Sequence, residues 1–298
     1  MKDLSIKAEK RISYLIFVLP ALVIYLFVMA FPAIFSVGLS LTNYSGGRIF
    51  NNPNVEFAGF ESYRIVFSDP FFYMALRNNF LIVLMSVFGQ IPLGFILAYI
   101  LSRGLIKGTD FFQTMIYLPS VISAVVIGIL FNSFFLSANS VLLEVQRLFN
   151  PAAEFSLPRY PMLPVLFVML WMYTGTYLII FLANLQKIDT SVIEASKIDG
   201  ASEWQTLRHI ILPALSGVIV VTAILAISGS LRSFDLIFVM TQGGPVHRTS
   251  VLALYMFEKA FRGAPNFPVA NAISTIMVII SFILIGITKA AQKYFSRY

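Results

Sequence analysis

Cysteine, histidine and charged side chains are scarce in this sequence. There is no cysteine, which removes disulfides, thiolate clusters and a cysteine nucleophile. His209 and His247 are too few for a zinc site that needs three or four ligands. No GxxxxGK(S/T) loop is present to cradle a nucleotide's phosphates, so ATP hydrolysis by that route is excluded. What remains is a set of polar side chains inside apolar runs: Ser120 and Ser123, then Trp171, Tyr173, Thr174 and Thr176, then Ser228, Ser230, Arg232, Ser233 and Asp235 around Gly229. Such groups suit binding. A hydroxyl-rich solute leaving water must have its hydrogen bonds replaced, and an aromatic face can stack on the apolar side of a ring. The competing role is structural, because a serine or threonine in an apolar helix also bonds its own backbone or a neighbouring helix. Arg232 and Asp235, three apart, can pair across a helical turn or line a cavity in which Asp235 accepts hydroxyl protons and Arg232 holds an anionic or hydroxyl-rich ligand.

The elements that must position these residues are set by composition. With 58% hydrophobic and 12% charged residues and a mean hydropathy of +0.83, the chain carries more apolar surface than one soluble core of 298 residues can hide. Its solvent is lipid, and the expected fold class is an all-α membrane protein. Six apolar runs have the length a membrane helix requires: about 12–41, 80–101, 114–136, 162–185, 214–240 and 269–288. They are expected to form a single transmembrane domain over residues 1–298. The first run, at roughly 45 Å, exceeds a hydrocarbon core of roughly 30 Å and must tilt or bend, with Pro32 as the expected bend.

Basic residues resist translocation and so report orientation. With the amino terminus inside, the cytoplasmic set is Lys2, Lys7, Lys10, Arg11, Arg103, Lys107, Lys187, Lys197, Arg208, Lys289, Lys293 and Arg297. The smaller outer set, on longer segments, is Arg48, Arg64, Arg77, Arg147, Arg159, Arg248, Lys259 and Arg262. Both termini are expected in the cytoplasm. The net charge of +7 is then a topology signal, and nucleic acid is not needed to explain it.

The loop between the fourth and fifth runs, residues 186–213, is dense in helix punctuation. Ser191 and Glu194 have capping-box spacing, Gly200 offers the left-handed conformation that closes a helix, and Ser202 with Gln205 repeats the box. Two short helices around a turn follow, with Trp204, Leu207 and Ile211 on one face and Pro213 where the chain bends into the membrane. Small residues at Ala195, Ser196, Gly200 and Ala201 let another surface approach the backbone. Beyond the fifth run, Gly243, Gly244 and Pro245 break the helix at the outer surface. Residues 249–264 are compatible with a short interfacial helix bearing Leu252, Tyr255, Met256 and Phe257.

The pattern Glu194, Ala195, Ser196, Asp199, Gly200, Ala201, Ile210, Leu212 and Pro213 resembles the EAA loop of binding-protein-dependent ABC importers, with Ser196 where alanine is more usual. The stretch SFDLIFVMTQGGP, from Ser233 to Pro245, resembles the carbohydrate importers related to the maltose permeases, and the Leu118–Pro119 step extends the likeness over most of the chain. The glycerol-phosphate and raffinose-type permeases are similar too. The resemblance implies the type I ABC importer permease fold with six transmembrane helices, without a large external insertion, in a bacterial or archaeal cytoplasmic membrane. It implies that Glu194, Ala195, Ser196, Asp199, Gly200, Ala201 and Pro213 form the coupling helix region that sits in a groove of the ATPase. It also implies substrate contacts at Ser120, Tyr173, Ser230 and Ser233, to which the physical reading adds Asp235. The implied partners are a second, paralogous permease, two cytoplasmic ATPase subunits that hold ATP and Mg, an extracytoplasmic solute-binding protein, a sugar and membrane lipid. No cofactor, metal, nucleic acid or enzymatic activity is expected of this chain. The alternative is an ion-coupled secondary transporter of a small polar solute, a class that places acids near the membrane midplane and often shows inverted repeats. Asp235 is the one acid in an expected span, and no repeat is evident.

Overall fold

The computed structural model describes residues 2–44, 46, 55–104, 107–135 and 161–295. Leu136, Arg48, Arg147, Arg159 and Arg297, which enter the expected spans and charge sets, lie outside the described residues. Among the described residues the secondary structure is helical apart from one bridge between Thr42 and Phe57. The helices are α1 (Lys2–Tyr25), α2 (Phe31–Ser40), α3 (Glu61–Ser68), α4 (Pro70–Met85), α5 (Ile91–Ser102), α6 (Thr109–Val121) and α7 (Ala124–Phe135). They continue with α8 (Met162–Leu185), α9 (Thr190–Ile198), α10 (Glu203–Thr206), α11 (Leu212–Ala214), α12 (Ser216–Leu231), α13 (Asp235–Thr241), α14 (Leu252–Phe261) and α15 (Phe267–Phe295).

Among the described residues, Ser13–Ser40, Pro70–Ser102, Met162–Leu185 and Phe267–Lys293 are each long and apolar enough to cross a membrane. Two bent pairs raise the number to six if each is one span: α6 with α7 at 93°, and Glu203–Ala214 with α12 at 66°. The third apolar run is therefore a sharply broken helix, with Ile122 extended at the break. The helix of the second run begins ten residues before Phe80, at Pro70, where Asp69 caps it by accepting from Phe71 N–H at 2.9 Å.

Among the described residues three helices carry a π turn, and each turn ends two residues before a proline: Leu26–Ala30 before Pro32, Ser86–Gln90 before Pro92, and Leu207–Ile211 before Pro213. The cause is steric. Proline has no N–H and its ring crowds the carbonyl four residues back, and an extra residue in the turn moves that carbonyl aside. The bonds shift accordingly, Phe31 N–H reaching Leu26 O and Ile91 N–H reaching Ser86 O. Pro32 is thus absorbed within the Ser13–Ser40 helix by a widened turn.

The chain divides into two compact units. In the first, residues 1–68 with 256–276, the chain beyond α2 is tied by Ala58 N–H to Leu41 O at 2.8 Å and by the Ser40 and Tyr63 hydroxyls at 2.8 Å, while Tyr44 packs on Phe267. In the second unit, residues 69–255 with 277–298, α8 is the central element. Its Tyr177, Leu178, Phe181, Leu182 and Leu185 bury against Ile91, Ala98 and Leu101 of α5, Ile211, Leu215, and Ala223 and Ala226 of α12. Two glycines set these approaches. A Cβ at Gly94 would lie 2.7 Å from Tyr177 Cβ, and one at Gly175 would lie 2.7 Å from Tyr117 Cα, so larger residues would push α5 and α6 off α8.

Candidate functional site

Two features of the second unit concentrate the polar groups. The first is a cavity of about 200 Å³ lined by Ser86, Gln90, Met169, Tyr173, Tyr177, Gly229, Ser230, Arg232, Ser233, Phe234 and Asp235 among others. It opens where the fifth run breaks. α12 ends at Leu231, Phe234 leaves helical geometry at φ −132°, ψ −60°, and α13 restarts at Asp235. No glycine or proline causes the break. It is held by side chains converging on one carbonyl: Ser230 O accepts from Asn79 Nδ2 at 2.9 Å, from Ser233 Oγ at 2.7 Å and from Ser233 N–H at 3.4 Å. Asn79 is fully buried, and its Oδ1 accepts from Leu252 N–H at 2.7 Å, so the same side chain pins the start of α14.

The hydroxyls here do structural and lining work together. Ser230 Oγ lies 2.7 Å from its acceptor Ala226 O and 3.0 Å from Ser86 Oγ, and Gln90 donates to Met169 O at 2.7 Å. Of the residues expected to bind substrate, Tyr173, Ser230, Ser233 and Asp235 line this cavity together with Arg232. Ser120 does not; on α6 its hydroxyl donates to Tyr117 O at 2.7 Å. Thr174 likewise bonds Leu170 O, and Trp171 turns to a separate apolar pocket with Phe131, Phe134 and Phe167. Arg232 and Asp235 are not paired across a helical turn, because the helix stops between them: Arg232 caps α12 with its Nε donating to Ser228 O at 3.3 Å, and Asp235 opens α13. Among the described residues no ion pair joins them. Sequence reasoning missed Ser86, Gln90 and Asn79. The signal was available as polar residues within or just before the second apolar run, two of them in the π turn before Pro92.

The second feature is the hairpin of α9 and α10. The cap of α9 is Asp189, which accepts from Ser191 N–H at 2.9 Å, so the expected Ser191–Glu194 box is not the one formed. Asp189 stands two residues earlier and takes the free N–H first. That bond holds its carboxyl below the ordinary carboxylate range. Gly200, at φ +78°, closes the helix: Gly200 N–H bonds Lys197 O at 3.1 Å and Ala201 N–H bonds Ser196 O at 2.9 Å, the paired bonds of a Schellman turn. The Ser202–Gln205 box forms in full, with Ser202 N–H to Gln205 Oε1 at 2.7 Å and Gln205 N–H to Ser202 Oγ at 3.3 Å.

Within the hairpin, Glu194, Ala195, Asp199 and Gly200 are exposed, as is Pro213 beyond it. Ser196 is the exception. It is buried, with its hydroxyl donating to Ile193 O at 2.7 Å and lying 3.1 Å from Thr206 Oγ1, so it clasps the two helices together. Glu203 is tied back to α5: Arg103 Nη2 lies 2.6 Å from its Oε2, and Tyr99 Oη donates to the same oxygen at 2.9 Å. The hairpin bares Ile198 at 86% and Trp204 at 65% relative exposure, large apolar side chains left uncovered. Asp199, Gly200, Gln205 and His209 border an open groove. Beyond α13, Gly243 and Gly244 take left-handed φ of 92° and 68°, as the expected break requires, whereas on α14 Leu252 and Tyr255 are buried in protein, Met256 and Phe257 are half-buried and Phe261 is exposed.

Comparisons with known proteins address the whole chain. A family model described as "Binding-protein-dependent transport system inner membrane component" matches residues 90–297. The lactose transport system permease protein LacF of Rhizobium radiobacter is 32% identical over 98% of this chain and 97% of its own. The multiple sugar-binding transport system permease protein MsmF of Streptococcus mutans is 31% identical, covering 94% of each. In fold, the chain superposes on one chain of a bacterial ABC transporter for import of the acidic polysaccharide alginate, with a TM-score of 0.78 over 98% of both at 21% identity.

Proposed function

The chain belongs to the family of binding-protein-dependent transport system inner membrane components, and from that premise we propose that it forms half of an ATP-driven path for a carbohydrate. The whole chain works as one permease domain with both termini in the cytoplasm. The observation that carries this reading is the cavity at the α12–α13 break. Among helices of mainly apolar sequence, it gathers hydroxyls, a carboxylate, a guanidinium and a tyrosine in one place. These groups suit a neutral polyol: Asp235 accepts from ring hydroxyls, Arg232 donates to ring oxygens, and Tyr173 covers the apolar C–H side. Ser120 belongs to this set only if the second permease brings its surface to the same path.

The hairpin supplies the coupling. Glu194, Ala195, Asp199 and Gly200 on its exposed surface, with Ile198 and Trp204, fit the groove of a cytoplasmic ATPase, while Ser196 and Pro213 hold the element's shape and its angle to α12. Two such ATPase subunits carry the ATP and Mg, a paralogous permease completes the pore, and an extracytoplasmic binding protein delivers the sugar. The names of LacF and MsmF favour an oligosaccharide or related sugar as cargo.

The test is uptake in proteoliposomes holding the complete complex, with ATP and binding protein and without any ion gradient. Uptake is expected under those conditions, with Asp235→Asn and Ser233→Ala weakening affinity at unchanged membrane level. Uptake that requires a proton or sodium gradient and ignores ATP would instead make the chain a secondary transporter.

A further inference from the structure

A second pocket of the same unit, separate from the sugar cavity, is lined by Arg77 and Arg248 and, among the described residues, by no acid. We propose that the pocket between Arg77 and Arg248 binds the phosphate headgroup of an anionic phospholipid in the outer leaflet. The pocket, of about 370 Å³, has apolar walls from Met74, Leu81, Leu163 and Leu166. Arg64, Arg103 and Arg262 each have a carboxylate at 3.8, 2.6 and 3.6 Å. Among the described residues neither Arg77 nor Arg248 has one within ion-pair distance. Two like charges facing one apolar-walled pocket call for an anion, and the walls call for an anion with a hydrocarbon tail.

Arg77 and Arg248 are themselves exposed, and what is fixed is the backbone that carries Arg248. Asn78, beside Arg77 and only 5% exposed, donates to Arg248 O at 3.0 Å and to Ser250 O at 2.9 Å, fixing the backbone of Arg248 against α4. Thr249 N–H to Gly243 O at 2.8 Å and Ser250 N–H to His247 O at 3.0 Å brace the same loop from its other side. Depth agrees. Arg77 precedes Ser102, the inner end of the second span, by roughly 38 Å of helix, beyond a hydrocarbon core of roughly 30 Å but within the roughly 40–45 Å that includes headgroups. The inference rests on the topology proposed above and not on what the chain carries, so lipid binding can fail while sugar transport stands, and the reverse.

Native mass spectrometry of the full chain in detergent tests it, with added dioleoylphosphatidylglycerol, dioleoylphosphatidylcholine or soluble glycerol phosphate as probes. The chain is expected to retain phosphatidylglycerol in preference to phosphatidylcholine. Arg77→Gln with Arg248→Gln should cut phosphatidylglycerol retention by roughly 25-fold, about fivefold for each basic group lost near an anionic headgroup. Phosphatidylcholine retention should not change, and Arg77→Lys with Arg248→Lys should keep most of the preference. Undiminished phosphatidylglycerol binding in the double glutamine variant overturns the proposal. So does displacement by glycerol phosphate at matched concentration, which marks a soluble-anion site, and so does parallel loss of both lipids in the lysine variant, which marks mere packing.

Discussion

The hairpin at Gly200 and the cavity at Arg232–Phe234 are both made by interrupting a helix, and they are held in opposite ways. At the hairpin the bonds that shape the two helices and their turn are local: Asp189 caps two residues ahead, Gly200 and Ala201 close onto Lys197 and Ser196, and Ser202 and Gln205 cap each other, while Glu203 ties the element to Arg103 and Tyr99. The element carries its own geometry and leaves Ile198 and Trp204 bare for a partner. At the cavity the break has no residue that favours it. It is held by Ser233, whose hydroxyl and N–H turn back on the Ser230 carbonyl, together with Asn79, 151 residues away in sequence, on the same carbonyl. The hairpin is therefore a rigid part, and the cavity is a conditional one whose shape depends on α4 and, through Leu252, on the start of α14. Under the proposed function that division sets a stiff coupling element on one side and a binding region that distant elements can reshape on the other.

The largest effect is expected at Asn79. Asn79→Leu strips a buried donor from Ser230 O and a buried acceptor from Leu252 N–H, at about 1–3 kcal/mol for each group left unsatisfied. Thermal unfolding of the purified chain should show that loss, and sugar affinity should fall with it. Asn79→Asp keeps the acceptor and should lie between. An Asn79→Leu chain with unchanged affinity would break the contrast between the two interruptions. Next is Gly175→Ala, whose methyl meets the α6 backbone at Tyr117 and should cost about 1–3 kcal/mol by overpacking. The same change at Gly200 meets nothing, so its cost is the left-handed backbone alone, about 1–2 kcal/mol, and Gly200→Asn should recover part of it. Denaturant midpoints of the three variants sharpen the comparison of clash with strain.

These same residues show what could be read in advance. Gly200, the Ser202–Gln205 box and the Gly243–Gly244 break announce themselves because their physics is complete within a few neighbours. So did the apolar runs, and the prolines that now prove to carry π turns. Most of the cavity set was also legible, since Tyr173, Ser230, Ser233 and Asp235 are polar where lipid demands apolar. What could not be read is anything decided by a distant partner. Arg232 and Asp235 look like a helical pair until the helix stops between them, and Asn79, Ser86 and Gln90 acquire their roles only when α4 packs beside α12. Ser120 illustrates the limit from the other side, because its hydroxyl is consumed by its own turn.

Smaller effects follow at the hairpin. Ser196→Ala removes the clasp to Thr206 and should cost about 1 kcal/mol while leaving coupling intact, since the exposed surface is unchanged. ATPase stimulation by the loaded binding protein measures that. Asp189 gives the smallest. Its carboxyl is depressed by the Ser191 bonds, so the cap's contribution is present above the ordinary carboxylate pKa and is lost as pH falls through the lowered value. Helix content of α9 should therefore be flat near neutral pH and decline only in acid, and Asp189→Asn should flatten that decline.

In the proposed function the α9–α10 hairpin faces the cytoplasm and meets the ATPase. The chain has no cysteine of its own, so a single Ile198→Cys change gives an unambiguous reporter. In the assembled complex it should crosslink to an ATPase subunit, to an extent that changes with nucleotide, and it should be silent to a membrane-impermeant thiol reagent added outside intact cells. Labelling from outside, or an assembled and active complex in which that cysteine never reaches an ATPase, would contradict the account.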